Sequence, residues 1–244
     1  MEIHKPHAAK TWKEFFIELG TVVIGILIAL ALEQAVEAAH ERARAAQARE
    51  NIGAEIAYNT GLFATRATVE NCVSRRLDEV DGLIQAAMTG EPLPGSIWIG
   101  HPPYWPMLSS QYAAASQSGV VSLLPTSEQA AYANIYAGFA EYTEAEKSEQ
   151  AAWSDLRALE NHPIAGPILD WQLRSALKKA RAARWLTEVS GQAVQTAAAS
   201  LGIKPNVTYH FTQQSVCIPL NTPRAEAEKL VAKGRNGGTG YDEP

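Results

Sequence analysis

Cys72 and Cys217 are the residues of this 244-residue chain best suited to form a covalent link. Neither has a second Cys or a His at zinc-ligand spacing, so metal ligation by this pair is not expected. In a cytosolic protein two isolated cysteines are most simply buried thiols, whereas in an oxidising compartment an even count is a disulfide candidate. Cys72–Cys217 is therefore expected to be a disulfide if the body of the protein lies outside the cytoplasm.

Other chemistry is sparse. The six histidines are His4, His7, His40, His101, His162 and His210, and none has a Cys, Ser or carboxylate at triad or ligand spacing. His4 and His7 could share a metal, but a solvated tail explains them more simply. The chain has no glycine-rich phosphate loop, G-x-S-x-G elbow or H-E-x-x-H helix. No catalytic residue, cofactor or metal is expected, and an enzyme is the least favoured class. The aromatic and proline-rich segment from Glu91 to Pro106 holds Trp98, Tyr104 and Trp105. It reads either as a ligand or partner loop or, more simply, as a long crossover pinned to the body by its rings. Arg75, Arg76, Asp78, Glu79 and Asp81 form a charge-dense stretch that reads as a solvated helix face with Arg75–Glu79 four apart. Asn206-Val207-Thr208 matches a glycosylation sequon, a pattern common by chance.

These groups must be positioned by helices. Phe15–Leu32 is apolar and close to the roughly 17–25 residues that cross a bilayer. Glu18 interrupts it, leaving Leu19–Leu32, which is also the length of a signal-peptide core, and Ala29-Leu30-Ala31 resembles a small-residue cleavage site. The following stretch to Glu50 is helix-forming without a turn signal, which favours an uncleaved anchor. Lys5, Lys10 and Lys13 precede the span, while the first basic residue after it is Arg42, so the N-terminus is expected in the cytoplasm. Thr21, Gly25 and Ala29 form a small-residue face with Glu18 within a turn of it, suited to a partner transmembrane helix or a second copy.

Beyond the span, no proline occurs between Pro6 and Pro92. Residues 33–50 are expected to be a helical stalk whose Ala39, Ala43 and Ala46 could pack on a neighbour. Ile52, Ile56, Asn59 and Phe63, then Val69, Val73, Leu77, Val80 and Ile84, follow helical spacing. Gly53 and Gly61 are the expected bends. A short helix over Met107–Gln117 should stop at Gly119, and a Thr126/Gln129 capping box should start a helix running towards Leu159 with Tyr132, Ile135, Phe139, Tyr142 and Trp153 inside. After the Asn161-His162-Pro163 break, a last long helix from Gly166 to Leu201 carries Leu169, Leu173, Leu177, Ala180, Trp185 and Val189 and ends at Gly202.

The expected fold is all-α. It comprises a cytoplasmic tail (1–14), a transmembrane helix (15–32), a stalk (33–50), an antiparallel helical bundle with an extended C-terminal strap carrying Cys217 (51–222) and a flexible tail (223–244) that starts with a weakly helical Arg224–Val231 and turns glycine-rich from Gly234. The formal net charge is −5 with basic residues dispersed, which argues against nucleic acid.

Glu14–Glu37, read as E-F-F-I-E-L-G-T-V-V-I-G-I-L-I-A-L-A-L-E-Q-A-V-E, resembles a broad group of uncharacterised bacterial single-pass proteins. That group carries an E-x-x-x-V-V-I-G-I-L-I-A-L-type span before a long helix. Ser118–Leu124 and Pro125–Tyr136 are also similar to alphaproteobacterial members, although Ala35 and Val36 stand where many of them have an N-N-W stretch. The resemblance implies an inner-membrane protein facing the periplasm and brings no catalytic residues. Two functions remain: a structural or accessory subunit of a membrane assembly or homo-oligomer, or a sensor-like ligand-binding bundle signalling through a partner. Fourteen residues before the span leave no room for an output domain, which favours the first.

Overall fold

In the computed structural model, which describes residues 11–160, 167–207 and 214–236, the fold is all-α, with no strand among the described residues. His4, His7, His162, His210, Leu169's surroundings, the sequon's Thr208 and the chain after Asn236 lie outside what is described.

The first helix, α1, runs unbroken from Trp12 to Ala67, 56 residues, capped by the Thr11 hydroxyl accepting from the Glu14 N–H. Neither Gly53 nor Gly61 bends it. The break comes at Thr68 and Val69, after which α2 spans Glu70–Thr89 and ends on Gly90 in the left-handed region. Gly61 has a different use: a Cβ there would sit 1.8 Å from the Asn206 carbonyl oxygen, so only glycine lets the strap lie on this helix. The Asn206 N–H donates to Ala57 O at 2.8 Å.

Residues 90–109 then form a long non-helical descent to α3 (Ser110–Gln117) and a 3-10 turn at Val120–Leu123, separated by Gly119 at φ 74°. Helix α4 covers Thr126–Leu156 and α5 Pro167–Ser200. Thr126 is the first helical residue rather than the cap, and the Gln129 amide donates to Leu124 O at 2.7 Å, so the expected capping box does not form. Pro125 suits the entry because its φ is pre-set and it has no N–H to leave unpaired.

Contacts order the columns. Along α1, Arg49, Glu55, Phe63 and Arg66 meet Glu128, Tyr136, Phe139 and Glu149 of α4 in rising order, so these helices run parallel. The long crossover over 90–109 is what returns the chain, and α5 runs antiparallel to both. Helices α4 and α5 form the most extensive pair, closely enough that a Cβ at Gly138 would lie 2.4 Å from Val194 Cγ2.

Burial divides this body into two main apolar clusters and a small third one of Trp98, Ile218 and Ala227. One apolar cluster, near the exposed part of α1, contains Ile52, Ile56, Phe63, Ile135, Phe139, Tyr142 and Val194. The far cluster contains Val73, Leu77, Val80, Ile84, Trp153, Leu156, Leu173 and Leu177 with Cys72 and Cys217 against it. Trp185 and Val189, expected in the core, are 60% and 44% exposed, because they point away from α4.

The stalk is shorter than expected. Ala45 is already buried in the near cluster, so the free helix between Leu32 and the body is about 18 Å at 1.5 Å per residue. Ala39, Ala43 and Ala46 are exposed. At the other end, the expected helix at Arg224–Val231 is present as α6, Arg224–Asn236, and its Ala227 is buried against Trp98 and Ile218, so this segment belongs to the body and not to a flexible tail.

Candidate functional site

Cys72 and Cys217 are joined as a disulfide, with Sγ atoms 2.10 Å and Cα atoms 5.0 Å apart. Cys72 lies in α2 and Cys217 ends a 3-10 turn, Ser215–Cys217, so the bond fastens the strap to the far cluster.

Arg76 does the same work beside it. Its guanidinium is 1% exposed and donates to the carbonyls of Trp98, Ile99 and Ile218, while Nε donates to Glu79 at 2.7 Å. This corrects the reading of residues 75–81 as a wholly solvated face. Arg75, Asp78 and Asp81 do behave that way, with Arg75 facing Glu79 at 3.7 Å and Arg181 reaching both aspartates. Arg76 instead stands three residues after Val73 and four before Val80, on the apolar side of the helix. Burial pulls its pKa down, and Glu79 opposes that pull.

The aromatic segment is not one site. Trp98 is buried, and its indole N–H donates to Ser215 O at 3.0 Å, whereas Tyr104 is 40% exposed and Trp105 half-buried. The buried Glu160 carboxylate accepts the N–H groups of Ile99 and Gly100 at 3.0 Å each. The reading of this segment as a crossover pinned to the bundle fits these contacts.

In the span, Glu18, Thr21, Gly25 and Ala29 fall on one face of α1, as expected. The 18-residue apolar window has a mean hydropathy of 2.5 and none of it is buried by the rest of the protein. This helix is long and apolar enough to cross a membrane. The Thr21 hydroxyl already donates to Ile17 O at 2.9 Å, so its polar group is satisfied within the helix. Trp12, Phe15 and Phe16 cluster at the N-terminal end, with ring centroids 5.7–6.2 Å apart, where amphipathic rings suit an interface.

The most unusual chemistry lies between the two apolar clusters, where α1 gives way to α2. Arg66, 5% exposed, donates to Glu149 at 2.9 Å and to Glu70 at 3.0 Å, and Arg184 of α5 also pairs with Glu70. Glu149 is fully buried, and its second oxygen has no partner; Arg66 Nε likewise has none. One turn earlier on α4, Glu146 is 1% exposed and neither of its oxygens makes a well-directed hydrogen bond. Burial pushes the Glu146 pKa up to about 8, with Glu149 adding to the rise and the Tyr142 hydroxyl, Arg66 and the Trp105 backbone moderating it. Burial raises Glu149 too, against the pull of Arg66.

A cleft of about 280 Å³ opens onto this layer between α1 and α5. Its floor is the Phe63–Tyr142 ring pair, with centroids 4.4 Å apart, and its walls include Arg66, Glu70 and Glu188. Gly191 lies over the floor. A Cβ there would make ordinary contacts of 3.7 Å with both rings, so no close approach requires glycine, although glycine in a helix interior costs about 1 kcal/mol relative to alanine.

The layer carried a signal in the sequence. Tyr142, Glu146, Glu149 and Trp153 are spaced 4, 3 and 4 residues apart, so the two acids complete the apolar stripe of α4. No group of three or more His, Cys, Asp or Glu residues arranged to hold a metal occurs among the described residues. Comparison of the chain with protein-family models, with curated proteins and with solved structures gave no match.

Proposed function

We propose that this is a single-pass inner-membrane protein with its N-terminus in the cytoplasm and its helical bundle in the periplasm. There it serves as a structural or accessory subunit of a membrane assembly or of its own homo-oligomer. One observation carries the reading: among the described residues, the apolar part of α1 has no helix of its own chain beside it, yet it continues without a break into the bundle. A rigid connection of this kind fixes the body at a set height and passes any force on the span directly to the core. The small-residue face of Glu18, Thr21, Gly25 and Ala29 supports a helical partner in the bilayer. The lysines before the span support the orientation, and the Cys72–Cys217 bond suits an oxidising compartment.

Extraction in mild detergent and affinity purification of the full chain tests this. A stoichiometric membrane partner or a defined homo-oligomer is expected, with its recovery weakened by Gly25→Leu. A clean monomer, unchanged by crosslinking in intact membranes, overturns it.

The cleft at the α1–α2 break favours a second reading, a sensor-like bundle that takes a ligand there and signals through a partner. A ligand between α1 and α5 would bear directly on the helix that enters the membrane.

A further inference from the structure

We propose that the charged layer where α1 gives way to α2 is a proton-operated latch. While Glu146 holds its proton, Arg66 clasps the end of α1 to Glu149 of α4; when that proton passes to solvent, the clasp loosens.

The charge balance of the layer carries this. Arg66 from α1 and Arg184 from α5 supply two cations, and Glu70 from α2 and Glu149 from α4 are the anions they hold. Glu146 is a third acid, 1% exposed, with no ion pair among the described residues and no well-directed hydrogen bond to either oxygen. An unpaired carboxylate in such a place costs so much that the group keeps its proton instead. Around it stand the Tyr142 hydroxyl, Glu149 one turn on, Arg66 and the Trp105 backbone, with Glu188 out on the wall of the cleft. Burial holds the Tyr142 hydroxyl well above its ordinary value, so it stays neutral while Glu146 titrates. The buried layer is balanced with Glu146 protonated and has one negative charge in excess without the proton. Burial, with Glu149 adding to it, puts that change at about pH 8, so the latch is shut at neutral pH and opens as the medium turns alkaline.

Position turns this titration into a motion. Arg66 lies in the last turn of a helix that starts at Trp12, and the break at Thr68 and Val69 follows directly. An ionised Glu146 draws on the same guanidinium, whose Nε–H has no partner, in competition with Glu149. Arg66 and Tyr142 also line the cleft of about 280 Å³, through which water reaches whichever acid is left without a cation. The end of α1 then loses its hold on α4. Because α1 is unbroken, the release acts on the same helix that carries the apolar window.

The latch gives the sensor-like reading a signal, the proton, and rests on that reading only for an output. The test is hydrogen exchange of the full chain in detergent across about pH 6 to 10, corrected for base-catalysed chemistry, together with infrared spectra of its carboxyl groups. At neutral pH a band from a protonated, buried carboxyl is expected, and Glu146→Gln should remove it. As pH rises through about 8, the amides from Thr65 to Val73 should lose protection by about tenfold or more beyond any loss at Ile135 and Leu177. Glu146→Gln should keep the junction closed at high pH. Tyr142→Phe removes a hydroxyl that favours the ionised form and should move the opening to higher pH. If Glu146→Gln fails to fold, Tyr142→Phe and the carboxyl band of the parent carry the test. Three results overturn the proposal: no protonated carboxyl at neutral pH, junction protection indifferent to pH or to Glu146→Gln, or a loss of protection that is uniform across the body. Absence of a membrane partner would leave all of these measurements unchanged, and their failure would leave the cleft available to another ligand.

Discussion

The two apolar clusters of the bundle are held together differently. The near cluster is made almost wholly from long helices that meet through rings: Phe63 lies 5.9 Å from Phe139 and 4.4 Å from Tyr142, and Tyr112 stacks on Tyr136 at 4.3 Å. The far cluster must also hold a proline-rich descent and a strap that have few backbone hydrogen bonds of their own. It is fastened by the Cys72–Cys217 bond, by Arg76 on three carbonyls and by Glu160 on two N–H groups. Helices bring their backbone partners with them, whereas irregular segments need side chains to supply theirs. A charged layer with a cleft separates the two.

The largest test of this contrast is reduction of the disulfide. Cys72→Ser, or reductant, should lower stability by about 4–5 kcal/mol in the chain-entropy account, because the bond closes a loop of 145 residues. Hydrogen exchange should quicken in α2 and α6 far more than at Ile52 or Ile135, and uniform loss of protection would erase the distinction. Free-thiol labelling of both cysteines in the native protein would remove its basis.

Arg76→Ala should follow at about 3–5 kcal/mol, since it strips the donors from three buried carbonyls and leaves Glu79 without its closer partner. Urea melts followed by Trp98 fluorescence would read it, and an effect below about 1 kcal/mol would place the clamp among the surface pairs. Phe139→Ala, in the ring-packed cluster, should cost about 3 kcal/mol through the cavity it leaves. Its exchange signature should be the reverse of the disulfide's, with Ile52 and Ile135 loosened first.

The layer between the clusters has its own signature. The pKa of Glu146 is raised from 4.5 to about 8, so the folded protein holds a proton that the unfolded chain has released between those values. Stability should therefore fall as pH rises from about 4.5 through about 8. Glu146→Gln should flatten that slope and gain up to about 5 kcal/mol relative to the parent above pH 8, read from urea midpoints across pH. A variant whose pH profile parallels the parent would show that Glu146 is not the group responsible.

The smallest effect should come from Arg49→Ala. The Arg49–Glu128 pair is bidentate, at 2.7 and 3.1 Å, but lies at the surface, so its loss should cost under about 1 kcal/mol and less in high salt. A larger cost would mean that the near cluster also depends on a charged clasp.

Much of the layout is legible in residue order. The run Phe15–Leu32, the freedom from proline between Pro6 and Pro92 and the 3–4 spacing of Ile52, Ile56, Asn59 and Phe63 in one helix and of Val73, Leu77, Val80 and Ile84 in the next dictate helices with defined inner faces, because these are properties of neighbours along one helix. Gly119 and Gly202, at φ 74° and 75°, end their helices for the same local reason. The pairing of Cys72 with Cys217 is legible because the chain has two cysteines, an even count that offers a disulfide.

What tertiary structure alone decided is which helices meet, and at what height. Nothing local places Asn206 on Gly61, turns Trp185 outward, or sets α4 parallel to α1, since each depends on where the 90–109 crossover returns the chain. Arg76 and Glu149 are charges on apolar faces. Their burial becomes possible only when three carbonyls of distant segments, or an arginine from another helix, arrive to replace water, and no arrangement within a single helix can supply those partners.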